Sequence, residues 1–207
     1  MKKRKKTGQF LPAVIIFLGL LSAFLILYKA GIFKGEKEYP TAPAPYFDSA
    51  DLKRKDCVSF SFDYPAEWDV TTNISPDDVG EGEVFFEATG KTMVENSFSV
   101  FRVVKESGNG NSGIQKIASM DDVSRIVASL SEAYGTDVTL IDSGIYDYGD
   151  KNCGMTYKAS MRYSDSDYTI YQTYFLIDHR IYIFSAVVIN GADENDMASV
   201  PYSIRFN

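Results

Sequence analysis

Few side chains in this chain are of the types that do chemistry, and none are spaced as a catalytic set. The sole histidine, His179, stands between Asp178 and Arg180 in a predicted turn, where an imidazole is ordinarily just solvated. A serine or cysteine nucleophile needs a base within hydrogen-bond reach, and His179 is the only imidazole to supply one. Lysine bases and carboxylate pairs remain as acid–base candidates. The pairs Asp77-Asp78 and Asp121-Asp122 are adjacent in sequence, so their side chains need not converge. The second pair opens a predicted helix, where carboxylates suit the positive end of the helix dipole. Asp165-Ser166-Asp167 and Asp193-Glu194-Asn195-Asp196 carry oxygen ligands of the kind calcium takes. Neither has the glycine and distal glutamate of an EF-hand loop, and both read as solvated turns. Two cysteines and one histidine are too few for a structural zinc. Gly108, Gly110 and Gly113 lack the spacing and the lysine of a phosphate-cradling loop. No catalytic residue, cofactor or metal ligand is therefore assigned.

Cys57 and Cys153 both open predicted strands. An oxidising compartment permits a disulfide between them, which requires Cα atoms roughly 4.4–6.8 Å apart. Burial as two apolar thiols is the plainer alternative.

The elements that position these residues follow from hydrophobic periodicity. Val58, Phe60, Phe62 and Tyr64 alternate with Ser59, Ser61 and Asp63, a half-buried strand ended by Pro65. Further strands are predicted over 83–88 and 98–104. Met120, Val123, Ile126, Val127, Leu130 and Tyr134 recur at helical spacing, with Ser119 at the start and Gly135 where a C-terminal cap belongs. The stretches 138–141 and 145–148 read as one strand interrupted near Ser143-Gly144. Strands over 155–163, 168–177 and 181–189 follow, the last apolar enough at Val187-Val188-Ile189 for a central position. A short helix over 191–198 and a closing segment over 202–206 complete the chain. Turns of hairpin length imply antiparallel pairing, because parallel pairs need long crossovers. The expected fold class is α+β: an antiparallel sheet of about seven strands in meander order, packed with one long helix and a short C-terminal helix.

The N-terminus is of another kind. Lys2, Lys3, Arg4, Lys5 and Lys6 precede a run from Phe10 to Tyr28 with no charged side chain. That length suits a bilayer-crossing helix, and Pro12 and Gly19 within it are tolerated there. The basic cluster places residues 1–9 in the cytoplasm and the remainder of the chain outside. The apolar run is longer than a signal-peptide core, and no small-residue cleavage site follows it. Residues 10–28 thus read as an uncleaved, single-pass signal anchor in the cell membrane, and no Cys lies at the end of the run for lipid attachment. After Gly35 there are 14 basic against 28 acidic side chains, a net of −14. That balance disfavours nucleic acid, whose binding needs a basic footprint. Residues 29–56, with Pro40, Pro43 and Pro45 among small residues, read as a Pro-rich extended tether. The folded domain is expected over 57–207.

Within that domain, Phe60-x-Phe62-x-Tyr64-Pro65-x-x-Trp68-x-Val70 resembles the opening of PsbP-like domains. The closing Ile204-Arg205-Phe206, and the hairpin arm carrying Tyr182 and Phe184 before a short helix, resemble their ends. The resemblance implies an antiparallel sheet sandwiched by helices. It also implies company with an extrinsic photosystem II subunit, Ran-binding factors and bacterial envelope proteins, most of them binding or assembly modules rather than enzymes. The anchor favours the envelope group. The expected function is a membrane-anchored, extracytoplasmic, non-catalytic binding or assembly module with an envelope protein partner. A hydrolase-type enzyme acting on an envelope substrate and a sensory ectodomain are the alternatives, the latter weakened by the short basic tail.

Overall fold

The computed structural model describes residues 38–80, 83–90, 96–104, 120–149, 152–163, 165–178, 180–189 and 191–207. The predicted anchor at 10–28, the glycine-rich loop at 107–113 and His179 lie outside them. One unit spans Tyr39–Asn207 and a separate one Met1–Glu38.

The alternation read at 58–64 becomes β2 (Phe60–Pro65). Phe60 and Phe62 are fully buried and Tyr64 nearly so. β1 (Leu52–Asp56) pairs antiparallel along one side of β2, and β10 (Arg205–Phe206) along the other. Asp63, facing out of this small sheet, ties both neighbours to β2. Arg54 Nε lies 2.8 Å and Arg205 Nη2 2.7 Å from its carboxylate.

The larger sheet contains β3 (Asp69–Asn73), β4 (Val84–Thr89), β5 (Ser97–Val104), β6 (Val138–Asp147), β7 (Cys153–Tyr163), β8 (Ser166–Ile177) and β9 (Arg180–Ile189). Its order is β3-β4-β5-β9-β8-β7-β6, antiparallel throughout. The small sheet and helix α2 (Glu194–Ser199) help close a core on one face, where Phe62, Phe86, Phe98, Phe175 and Phe184 meet edge to face. Helix α1 (Met120–Tyr134) packs on the other face, with Val127, Ile126 and Leu130 against Met155, Tyr157, Ala159 and Ile170. Gly135, at φ +63°, ends α1 as expected. Thr136 N–H donates to Ser131 C=O and Gly135 N–H to Glu132 C=O, the paired bonds of a Schellman cap. Gly154 is required by close approach, since a Cβ there would stand 2.6 Å from Phe175 and 2.8 Å from the Tyr148 ring.

The α+β class stands, with corrections. Among the described residues there are ten strands in two sheets rather than about seven in one. The order is not a single meander. α1 carries the chain to the far edge, β6 to β9 return as a meander, and β9 lands beside β5. That placement gives β9 the central position expected of its apolar run. β6 is one continuous strand with a bulge between Leu140 and Asp142, so the break read at Ser143-Gly144 is two residues late.

The tether reading of 29–56 fails from Tyr39 onward, and the domain does not begin at Cys57. Thr41 bridges Asp147 in parallel, with Ala42 N–H donating to Asp147 C=O at 2.7 Å and Asp147 N–H to Pro40 C=O at 2.8 Å. Asp196, buried in α2, accepts from Asp48 N–H at 2.7 Å, Ser49 N–H at 3.1 Å and the Ser49 hydroxyl at 2.6 Å. Ser199 exchanges hydrogen bonds with both backbone groups of Tyr46. Extended, proline-spaced backbone makes no bonds to itself, so its amides are free to be captured by α2.

Candidate binding cleft

The side chains that could bind a ligand gather where the small sheet meets the β8–β9 turn. Cys57 N–H donates to Phe60 C=O at 2.8 Å, closing a tight turn ahead of β2. Val58 therefore lies in the turn, 76% exposed, and not on the buried face with Phe60 as the alternation suggested. Asn207, just after β10, pins this turn, its amide donating to Cys57 C=O at 3.2 Å and Val58 C=O at 3.1 Å. Across the gap, Asp178 occupies the β8–β9 turn at φ +48° and accepts from the Ser59 hydroxyl. Asparagine and aspartate tolerate the left-handed conformation such a turn requires.

Two adjoining recesses result. The larger, about 510 Å³ and open, lies among Asn152, Leu176, Ile177, Phe206 and Asn207. The smaller, about 220 Å³, lies among Cys57, Pro76, Asp77, Arg180 and Tyr182. Val58, Ser59 and Asp178 line both.

One carboxylate beside the smaller recess is shared by two guanidinium groups. Asp77, in a 3₁₀ turn over Pro76–Asp78, lies 2.6 Å from Arg180 Nη1 and 3.8 Å from Arg102 Nη1. Arg102 is buried on β5 opposite Tyr182, and its Nη2 donates to Val79 C=O. Its Nε has no hydrogen-bond partner among the described residues. The hydrogen bond to Asp77 raises the Arg180 guanidinium above its ordinary value. Burial pushes the Cys57 thiol up to about 11, so it is protonated near neutral pH. A thiol is not the nucleophile; the thiolate is. The arrangement offers hydrogen bonds, paired charges and apolar walls.

The structure places the cysteines and most of the acidic residues singled out from sequence. Cys57 and Cys153 are free thiols, so the structure contains no disulfide between them. Cys57 packs beside the aromatic core and Cys153 within the cluster on the opposite sheet face. The 193–196 carboxylates are not a solvated turn. Asp193 accepts from Asn96 at 3.1 Å, Glu194 from Lys158 at 3.0 Å and from the Tyr171 hydroxyl, and Asp196 from the 48–49 backbone. Asp165 stands in the β7–β8 turn, with Asp167 3.8 Å from Arg162. Asp121 and Asp122 lie at the start of α1. Among the described residues no three His, Cys, Asp or Glu side chains are gathered as metal ligands. Sequence reasoning missed Ser59, Arg102, Asp178 and Asn207. Arg102 alone left a signal, as a charge inside the apolar run Val100-Phe101-Arg102-Val103.

No protein-family model matches the sequence, and no curated protein matches it. The fold does match. The solution structure of cyanobacterial PsbP (CyanoP) from Synechocystis sp. PCC 6803 superposes with a TM-score of 0.60 at 15% identity, covering 76% of this chain and 94% of that one. A crystal structure from Bacteroides thetaiotaomicron, also 15% identical, covers 75% of this chain and 48% of its own at a TM-score of 0.44. The first likeness shows a PsbP-like fold.

Proposed function

From a PsbP-like fold, we propose that this domain is a non-catalytic binding or assembly module, held at the outer face of the cell membrane by residues 10–28 and engaging an envelope protein through the cleft. The chemistry of the cleft carries the reading. Asp77 is paired with the Arg180 and Arg102 guanidinium groups, and the thiol is kept protonated. The cleft therefore presents contacts rather than a reactive group. Leu176, Ile177 and Phe206 supply apolar walls, while Asp178 and Asn152 supply polar ends. Recesses that combine apolar walls with a few fixed polar groups are the usual form of binding sites. The basic residues before the apolar run, and the acidic excess after it, support the orientation.

A photocrosslinking amino acid placed at Val58, in full-length protein in its native membrane, tests this. Tyr163 serves as control, half-exposed and at the opposite end of the strands from the β8–β9 turn. One envelope protein joined from Val58 and not from Tyr163, with the 39–207 domain digested by protease added outside intact cells, is expected. Equal capture from both positions, or a domain that faces the cytoplasm, refutes the reading.

A further inference from the structure

Among the described residues, the outer edge of β6 is bonded at its two ends and unpaired between them. Its outward backbone groups follow from three hydrogen bonds. Asp147 N–H donates outward to Pro40 C=O, Ser143 N–H to its neighbour's Asp142 carboxylate at 2.8 Å, and Val138 N–H to Ser131 Oγ at 3.0 Å. Strand alternation, carried through the bulge at Ile141, then turns the amides of Leu140 and Ile145 outward as well. Neither has a hydrogen-bond partner among the described residues. The opposite edge of the sheet differs. β3 is only five residues long and irregular, and Lys55 closes its end by donating to Asn73 Oδ1 and Ile74 C=O. Unpaired edge amides and carbonyls recruit further strands, and added strands are an established mode of partner recognition.

We infer that the β6 edge between Val138 and Asp147 is a docking site for an extended, basic, amphipathic segment of a protein partner, bound as an added strand. Charge selects the occupant. β6 carries Asp142 and Asp147 and no lysine or arginine, and Asp137 precedes it. A second copy paired edge to edge would set acidic strands side by side in a domain of net charge −14 after Gly35, counted from 14 basic and 28 acidic side chains. Like charges opposed across strands are destabilising. Pattern selects the alternation. Leu140 and Ile145 face the α1 side and pack on its cluster, while Asp142 and Tyr146 face the other side. A segment alternating apolar and basic residues meets the first pair with one face and the second with the other. This surface is separate from the cleft, so its failure leaves the cleft reading intact, and the reverse.

Full-length protein in detergent, titrated with the capped peptide Lys-Val-Lys-Val-Lys-Val-Lys, tests the inference by hydrogen exchange over 138–147. Protection of the Leu140 and Ile145 amides is expected. Glutamate in place of each lysine should weaken binding about tenfold or more, since each direct charge or backbone bond is worth around a factor of ten. N-methylation of the peptide at alternate residues on the bonding side should abolish protection with no change to the protein. Asp142→Lys should reverse the preference between the two peptides. Equal affinity of the N-methylated peptide, protection only at Ser59 and Asp178, or no protection at all overturns the proposal. Concentration-dependent protection without peptide identifies a second copy as occupant and overturns it too.

Discussion

Asp196→Ala should release the segment at 46–49 from the domain and reveal how much the strap contributes to stability. Asp196 is 6% exposed and receives two backbone amides and one hydroxyl, at 2.7, 3.1 and 2.6 Å. A hydrogen bond to a charged acceptor contributes roughly 1.5–3 kcal/mol when its loss leaves the donor dry. Asp48 is exposed and Ser49 half-buried, so water replaces part of what is lost. The expected cost is about 2–3 kcal/mol. The adjoining Phe47 packs against the aromatic core, so detachment also returns apolar surface to water. Urea unfolding of wild type and variant reads the free energy, and hydrogen exchange reads the amides of 46–49. Asp196→Asn, which keeps one acceptor oxygen without charge, should fall between the two. A loss below about 0.5 kcal/mol, the range of ordinary surface substitutions, would refute the strap. So would a larger loss with unchanged exchange at 46–49, because the destabilisation would then have another origin.

The Asp63 carboxyl gives a pH signature. Burial alone would raise it, but hydrogen bonds from Arg205 and Arg54 outweigh burial and hold it below its ordinary value. Its contribution is therefore present above the unfolded carboxyl value of about 3.9 and fades as pH falls through the lowered folded value. The Tm gap between wild type and Asp63→Asn should be full at neutral pH and close in acid; a gap constant from neutral pH to strong acid contradicts this. Gly154→Ala should cost about 1–3 kcal/mol by overpacking, measured by urea unfolding, because its Cβ would meet Phe175 and Tyr148 inside contact distance. In a Cys153→Ser background, Cys57 alkylation should keep accelerating up to about pH 11. A plateau near the free-thiol value of about 8.5 would show a solvated thiol instead.

Legibility followed from how local each signal is. β2, β5, β9 and α1 were readable because apolar side chains repeat at period 2 or 3.6 along one segment. Gly135 was readable as a cap because a left-handed residue there favours glycine. β1, with sequence Leu52-Lys53-Arg54-Lys55-Asp56, had no such pattern, since it sits at an edge with nearly every side chain exposed. β3, alternating exposed and half-buried, was missed for the same reason. Neither half of the cleft carries a motif, because its turn at 57–59 and its turn at 178 are ordinary alone and meet through Ser59 and Asp178.

The sequence by itself determined the strand and helix periods, the acidic excess after Gly35, the basic cluster beside the apolar run at 10–28, and the absence of a spaced catalytic motif. Tertiary structure alone decided that β9 pairs with β5, that the proline-spaced segment docks on α2, and that the cleft exists. Periodicity and charge are properties of neighbouring residues. Asp48 and Asp196 are 148 positions apart, and Ser59 and Asp178 are 119 apart. Such pairs leave no local trace, because the burial that makes their hydrogen bonds worth forming exists only once the two sheets have closed.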